Sequence, residues 1–216
     1  MILADNGGME IAALVGEFVE KYRGGAAPLV EVGDVVLRGV AETVDGQVDA
    51  GLVGEVVEIL FATMRAAPGV GVAAPQVGIP LRVAVLGDPA PVTEEVAVAR
   101  ARRPLAEFAI VNPAYEADGD EVGFYEGCLS MPGYQAVVRR PESVIATYED
   151  LDGVRHTERL SGWPARIFQH ETDHLSGAIY IDKAVTRSIT TNANLQKWWS
   201  QPTPAEASQA LGFTLP

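Results

Sequence analysis

Apolar positions along the chain form two helical stripes near the amino terminus, shorter strand-like runs in the middle, and a helix-spaced segment around His170. From Met9 to Tyr22, the residues Ile11, Leu14, Val15, Phe18, Val19 and Tyr22 share one face, opposite Glu10, Glu17 and Glu20, which predicts an amphipathic helix. Gly24-Gly25-Ala-Ala-Pro28 reads as a linker, so residues 1–28 are expected to form a helical extension packed on the main body. Leu29 to Val44 carries short apolar pieces with no period. Leu52, Val53, Val56, Val57, Leu60, Phe61 and Met64 predict a second helix ending near Pro68. Leu81–Leu86, Phe108–Asn112, Val144–Tyr148 and Val154–Leu160 read as strands, the last two joined by an Asp152-Gly153 hairpin turn. Pro89–Arg103 is charged and reads as a surface loop, and much of the tail from Lys183 to Pro216 as extended or loosely packed.

Composition narrows the class. With 216 residues, 48% of them apolar and 21% charged, the chain can bury the core of one domain with extensions. A net charge of −13 argues against a broad electrostatic footprint on nucleic acid and reads as a solubility device. No basic residue precedes Lys21, and Asp5 interrupts the apolar start, so no secretory signal is expected. The longest uncharged run, Ala66–Leu81, is broken by Pro68, Pro75 and Pro80 and does not read as a membrane span. One cysteine permits no internal disulfide, which fits a cytoplasmic setting.

Candidate chemistry begins at Gly162-Trp-Pro-Ala-Arg-Ile-Phe-Gln-His170-Glu171-Thr-Asp-His174-Leu-Ser-Gly177. Two imidazoles four residues apart lie on one helical face and can reach one ion; Pro164 suits the first turn and Gly177 the C-cap. The bland alternative is a surface helix that carries two histidines. A catalytic metal usually takes three protein ligands plus an open position, and Cys128 is the candidate third. Cys128 could equally be a small buried apolar side chain; its neighbours Glu126-Gly127 and Leu129-Ser130 read as a site loop. Two imidazoles and a thiolate suit zinc or ferrous iron, not magnesium or calcium. Glu171 is then the proton carrier rather than a ligand. Gly69-Val-Gly71-Val-Ala-Ala-Pro-Gln76 satisfies a loose dinucleotide pattern, but it follows a helix and precedes a strand, the reverse of what that fingerprint needs. A close backbone approach and a plain tight turn explain its glycines equally well. His156 reads as a solvated strand residue, and Arg166 falls near the pocket mouth without a role.

Three segments, Gly69–Gln76, Glu126-Gly-Cys128-Leu-Ser130 and Gln169-His170-Glu171-Thr-Asp-His174-Leu, resemble the signature motifs of the peptide deformylases in that family's order. The resemblance spans about Leu29 to Val185. It implies an α+β fold, with antiparallel or mixed strands around a central metal-binding helix, a catalytic domain over residues 29–185 and a carboxy-terminal extension over 186–216. It implies Cys128, His170 and His174 as metal ligands, Glu171 as general acid/base, and Gln76 with the Leu129 backbone N–H as oxyanion donors. Gly71, Val70 and Gly127 would bind the extended peptide. The implied cofactor is Fe2+, with Zn2+, Ni2+ or Co2+ as substitutes, and the implied substrates are N-formyl-methionyl peptides of nascent chains. Val70, Trp163 and Ile167 are candidates for the methionine pocket. Some relatives dock on the ribosome through a basic carboxy-terminal helix; this tail is only mildly basic and proline-interrupted, so it gives such transient association little support. The competing reading is a zinc peptidase that cleaves internal bonds and takes its third ligand downstream, where only Asp182 and Glu206 remain.

Overall fold

In the computed structural model, which describes residues 7–216, the first apolar stripe forms helix α1 (Gly7–Tyr22). Val15 and Val19 are fully buried and Phe18 nearly so, and each such side chain contributes about 1.5–3 kcal/mol on leaving water. They pack against α2 (Ala50–Ala66), whose N-cap Asp49 accepts from the Gly51 amide. Leu14, expected in the stripe, stays exposed at its margin. The reading of the first residues as no signal segment falls outside the described residues.

Among the described residues, eight strands form two sheets, and every named pair is antiparallel. The larger contains β1 (Gly71–Ala73), β2 (Val83–Asp88), β3 (Leu105–Ala117), β6 (Ser143–Glu149) and β7 (Arg155–Ser161), ordered β1-β2-β3-β6-β7. The smaller contains β4 (Glu121–Cys128), β5 (Met131–Pro141) and β8 (Thr190–Thr191), ordered β4-β5-β8. The β6–β7 hairpin turns through Gly153 at φ 75°, as its Asp-Gly pair predicts.

Helix α4 (Gly162–His174) ties the two sheets together. Ala165, Phe168 and Leu175 pack into the larger sheet beside Ala73, Leu86 and Ile110. Its polar residues reach the smaller sheet: the Arg166 guanidinium donates to the Val122 and Val138 carbonyls, and Gln169 Nε2 to the Pro141 carbonyl. Gly177, at φ 73°, closes the helix end, where the Ala178 amide donates back to Asp173. A side-chain carbon there would overlap the Arg38 carbonyl. The α+β expectation therefore holds, with α4 at the centre.

Three local expectations are corrected. Glu126-Gly127-Cys128 is the end of strand β4, not a loop; only Leu129-Ser130 turns, after a register shift between Gly127 and Cys128. The Pro89–Arg103 excursion contains α3 (Glu94–Ala99), with Thr93 Oγ1 accepting from the Val96 amide. The tail is ordered into α5 (Asn192–Trp198) and α6 (Ala205–Leu211), because Ala207 and Phe213 are buried against Tyr125 and Val137. His156, expected as a solvated strand residue, is half-buried, stacked on Tyr148 and 2.7 Å from Asp150 Oδ2. Among the described residues, no helix is long and apolar enough to cross a membrane.

Candidate metal centre and cleft

Cys128 ends β4, and His170 and His174 stand one turn apart on α4. Their ligand atoms lie within 4.8 Å of one another. Cys128 Sγ is 3.3 Å from His174 Nε2, and the two imidazole rings meet edge to face at 5.0 Å. His170 Nδ1 lies 3.0 Å from Glu126 Oε2. A buried carboxylate only accepts, so Nδ1 carries a proton and Nε2 is the nitrogen an ion would take, with release of any proton on it. Burial holds His174 well below the usual imidazole range, leaving it neutral. Burial also opposes a charge on His170, but Cys128 and Glu126 outweigh it and hold that ring well above its ordinary value. One sulfur and two nitrogens, with a carboxylate behind one ring, fit a borderline transition ion and not a hard one.

Glu171 stands outside this donor set. Its Oε2 is buried with no hydrogen-bond partner among the described residues, and burial pushes the carboxyl up to about 7. A side-chain carbon on Gly71 would overlap that carboxyl. Neither Gly69 nor Gly71 has a positive φ. The close-approach reading therefore holds at Gly71, while Gly78, at φ 88°, is a turn glycine that caps the 3-10 turn. Gln76 sits on a short 3-10 turn (Ala74–Val77), where its Oε1 accepts from the Ala73 amide at 2.9 Å. That fixes the carboxamide so that Nε2 points to Ser130 Oγ at 3.2 Å and Cys128 Sγ at 3.4 Å. A cleft of about 570 Å³ opens over the cluster, lined by Val70, Gly71, Gly127, Leu129, Trp163 and Ile167 among others.

Beneath the cluster lies a charge network that sequence reasoning missed. Glu126 accepts from Arg140 Nε at 2.7 Å and from Arg166 Nη1 at 2.6 Å. Arg140 continues to Asp173 at 2.7 Å, which Lys183 and the Tyr115 hydroxyl also contact. Burial opposes the Glu126 charge, yet Arg140, His170 and Arg166 hold its carboxyl well below the usual range. Arg166 is thus a buried partner of Glu126 and does not sit at the pocket mouth. Reading β4 as a strand would have found Glu126, since residues two apart share a face. Arg100, on the supposed surface loop, also lines the cleft; its guanidinium stacks on Trp163 and donates to the Pro202 carbonyl at 3.0 Å.

Three protein donors, a separate carboxyl suited to moving protons, a fixed amide donor and an open cleft form the arrangement of a metal-dependent hydrolase. The profile of the polypeptide deformylase family matches residues 26–189. Peptide deformylase 3 of Streptomyces avermitilis is 56% identical over 194 residues, covering 89% of this chain and 87% of that protein. Peptide deformylase 1 of Bifidobacterium longum is 46% identical over 193 residues, covering 87% of each. A Met-Ala-Ser-bound crystal structure of a class I type b peptide deformylase from Acinetobacter baumannii superposes with TM-score 0.66 at 31% identity, over 73% of this chain and 98% of that one. The chain belongs to the polypeptide deformylase family. It is an enzyme of metal-dependent hydrolysis that removes the formyl group from the amino terminus of newly made peptides. Nothing in these similarities favours the internal peptidase, and its candidate ligands are engaged elsewhere: Asp182 with Arg38 and the Ile179 amide, Glu206 with Gln201.

Proposed function

We propose that Cys128, His170 and His174 hold the metal for deformylation and that Glu171 is the proton carrier. The observation that carries this is the convergence of one sulfur and two ring nitrogens within 4.8 Å, with the Glu171 carboxyl beside them but outside the set. When bound, a divalent ion supplies Lewis-acid polarisation and lowers the pKa of water. Glu171 takes the proton of the attacking water and returns it to the leaving nitrogen, and a carboxyl near 7 exchanges protons readily at neutral pH. Gln76 Nε2, on a carboxamide whose Oε1 accepts from the Ala73 amide, and the Leu129 backbone N–H at the turn stabilise the charge that develops on the formyl oxygen.

The peptide lies extended between Val70-Gly71 and Gly127, the free borders of the two sheets, with the methionine side chain against Val70, Trp163 and Ile167. The Met-Ala-Ser complex of the Acinetobacter relative supports a peptide occupant. Ferrous iron is the proposed metal, with zinc, nickel and cobalt as substitutes that the same donors accept. The proposal places the enzyme in the cytoplasm, working on nascent chains. Transient ribosome association through α5 would use Lys197; loss of co-sedimentation in Lys197→Glu tests that point.

The central test is metal analysis of anaerobically purified protein together with formate release from formyl-Met-Ala-Ser. The expectation is about one metal ion per chain, held by the three donors, and release of formate. Metal-loaded protein that releases none would defeat the assignment.

A further inference from the structure

Beside the catalytic cleft lies a second groove of about 330 Å³, half of it lined by Tyr134, Ile189, Trp198 and Leu211 and the rest by Trp199 and three uncharged polar side chains. Tyr134, Ile189 and Trp198 are 47%, 41% and 53% exposed, so three large apolar side chains stand open to solvent in one place. The two tryptophans at the end of α5 differ: Trp199, its C-cap residue, packs into the cluster of Tyr125, Val137 and Phe213 and also borders the groove, while Trp198 faces outward beneath Lys197 Nζ at 4.6 Å. Trp199 thus anchors the segment that presents Trp198. Among the described residues, no charged side chain lines the groove.

The groove continues the cleft. Tyr134 lines both, and α5 supplies Asn192 to the cleft and Asn194 to the groove. Gly127 pairs with Gln135 across β4–β5, and Gln135 pairs with Thr190 across β5–β8. Gly127 and Thr190 are thus two strand spacings of about 4.8 Å each apart, and an extended peptide that leaves the β4 border beyond its first residues, advancing about 3.3 Å per residue, reaches the groove in about three more.

We propose that this groove is a downstream subsite of the enzyme, which receives an apolar or aromatic side chain about four to six residues from the formylated end of the substrate. The inference rests on the deformylase reading. The occupant is the substrate's own continuation, because the groove shares a wall with the cleft and its uncharged lining suits an apolar side chain.

The test compares kcat/KM for formyl-Met-Ala-Ser with that for formylated hexapeptides carrying Phe, Leu or Ser at the fourth, fifth or sixth position. The enzymes are wild type, Trp198→Ala and Trp198→Phe. One aromatic contact predicts about a fivefold preference for Phe over Ser at one of these positions, expressed in KM. Trp198→Ala loses that preference, Trp198→Phe keeps it, and the tripeptide rate is the same in all three. Equal rates for Phe and Ser peptides in the wild type overturn the subsite. So does an equal fall on short and long substrates in Trp198→Ala, or a dimer in sedimentation that this change dissolves without altering peptide preference. No formate from the tripeptide would sink the deformylase reading itself, a result distinct from a missing preference.

Discussion

Glu126 Oε2 lies 3.0 Å from His170 Nδ1, while Oε1 of the same carboxylate accepts from Arg140 and Arg166. One buried acid therefore orients an imidazole of the candidate metal site and pairs with two guanidinium groups. Glu126→Gln removes the charge but keeps an acceptor for His170. Loss of such a supporting carboxylate typically weakens metal binding about 10–100-fold, and breaking a buried ion pair costs about 3–5 kcal/mol. The expected outcome is faster metal loss to a chelator and a clearly lowered melting temperature; unchanged metal retention would show that Glu126 serves the arginines alone.

Gln76→Ala removes the amide donor beside Cys128 and leaves the Ala73 N–H without its side-chain acceptor. Loss of one oxyanion donor costs about 10²–10³ in turnover. The variant is expected to fold, to bind metal and to release formate that much more slowly. Near-normal turnover with normal metal content would assign Gln76 to holding the turn only.

Gly71→Ala drives a methyl group into the Glu171 carboxyl. A displacement of about 1 Å at a reacting group can cost about 10²-fold, so turnover should collapse while the metal stays bound. Glu171→Ala should retain metal with almost no hydrolysis. Metal analysis separates the possibilities, because a Glu171→Ala protein that comes out metal-free would make Glu171 a ligand.

Cys128→Ser replaces a soft thiolate with a neutral hydroxyl. Metal content after dialysis should fall strongly while the circular dichroism of the fold is kept. With iron bound, the native protein should also lose activity in air as the thiolate oxidises. Stable activity in air after ferrous loading would contradict a reactive iron–thiolate centre.

The catalytic helix was legible because four-residue spacing maps directly onto one helical face, so His170, His174 and Glu171 could be read without neighbours. Cys128 was legible as the missing donor, but its strand was not: in Val122-Gly-Phe-Tyr-Glu126-Gly-Cys128 two glycines and a buried acid mask the alternation. Glu126 and Arg166 were hidden for the same reason, since a buried charge shows itself only once its partner is placed. Arg100 meets Pro202 across 102 residues of chain, a contact that no local pattern encodes. The tail was misread because its prolines suggested an open chain, whereas Phe213 and Ala207 supply the apolar anchor.

Strands β1 and β4 are both terminal members of their sheets, and the cleft is bordered by residues of each. A bare strand border offers main-chain donors and acceptors, which every polypeptide can match regardless of its side chains. A peptide held there as proposed would be gripped largely regardless of its sequence, so one seam would serve many different nascent chains. The strongest selection would then fall on the blocked end, where an error would cut the wrong amide, and side-chain preferences further along would be weaker biases.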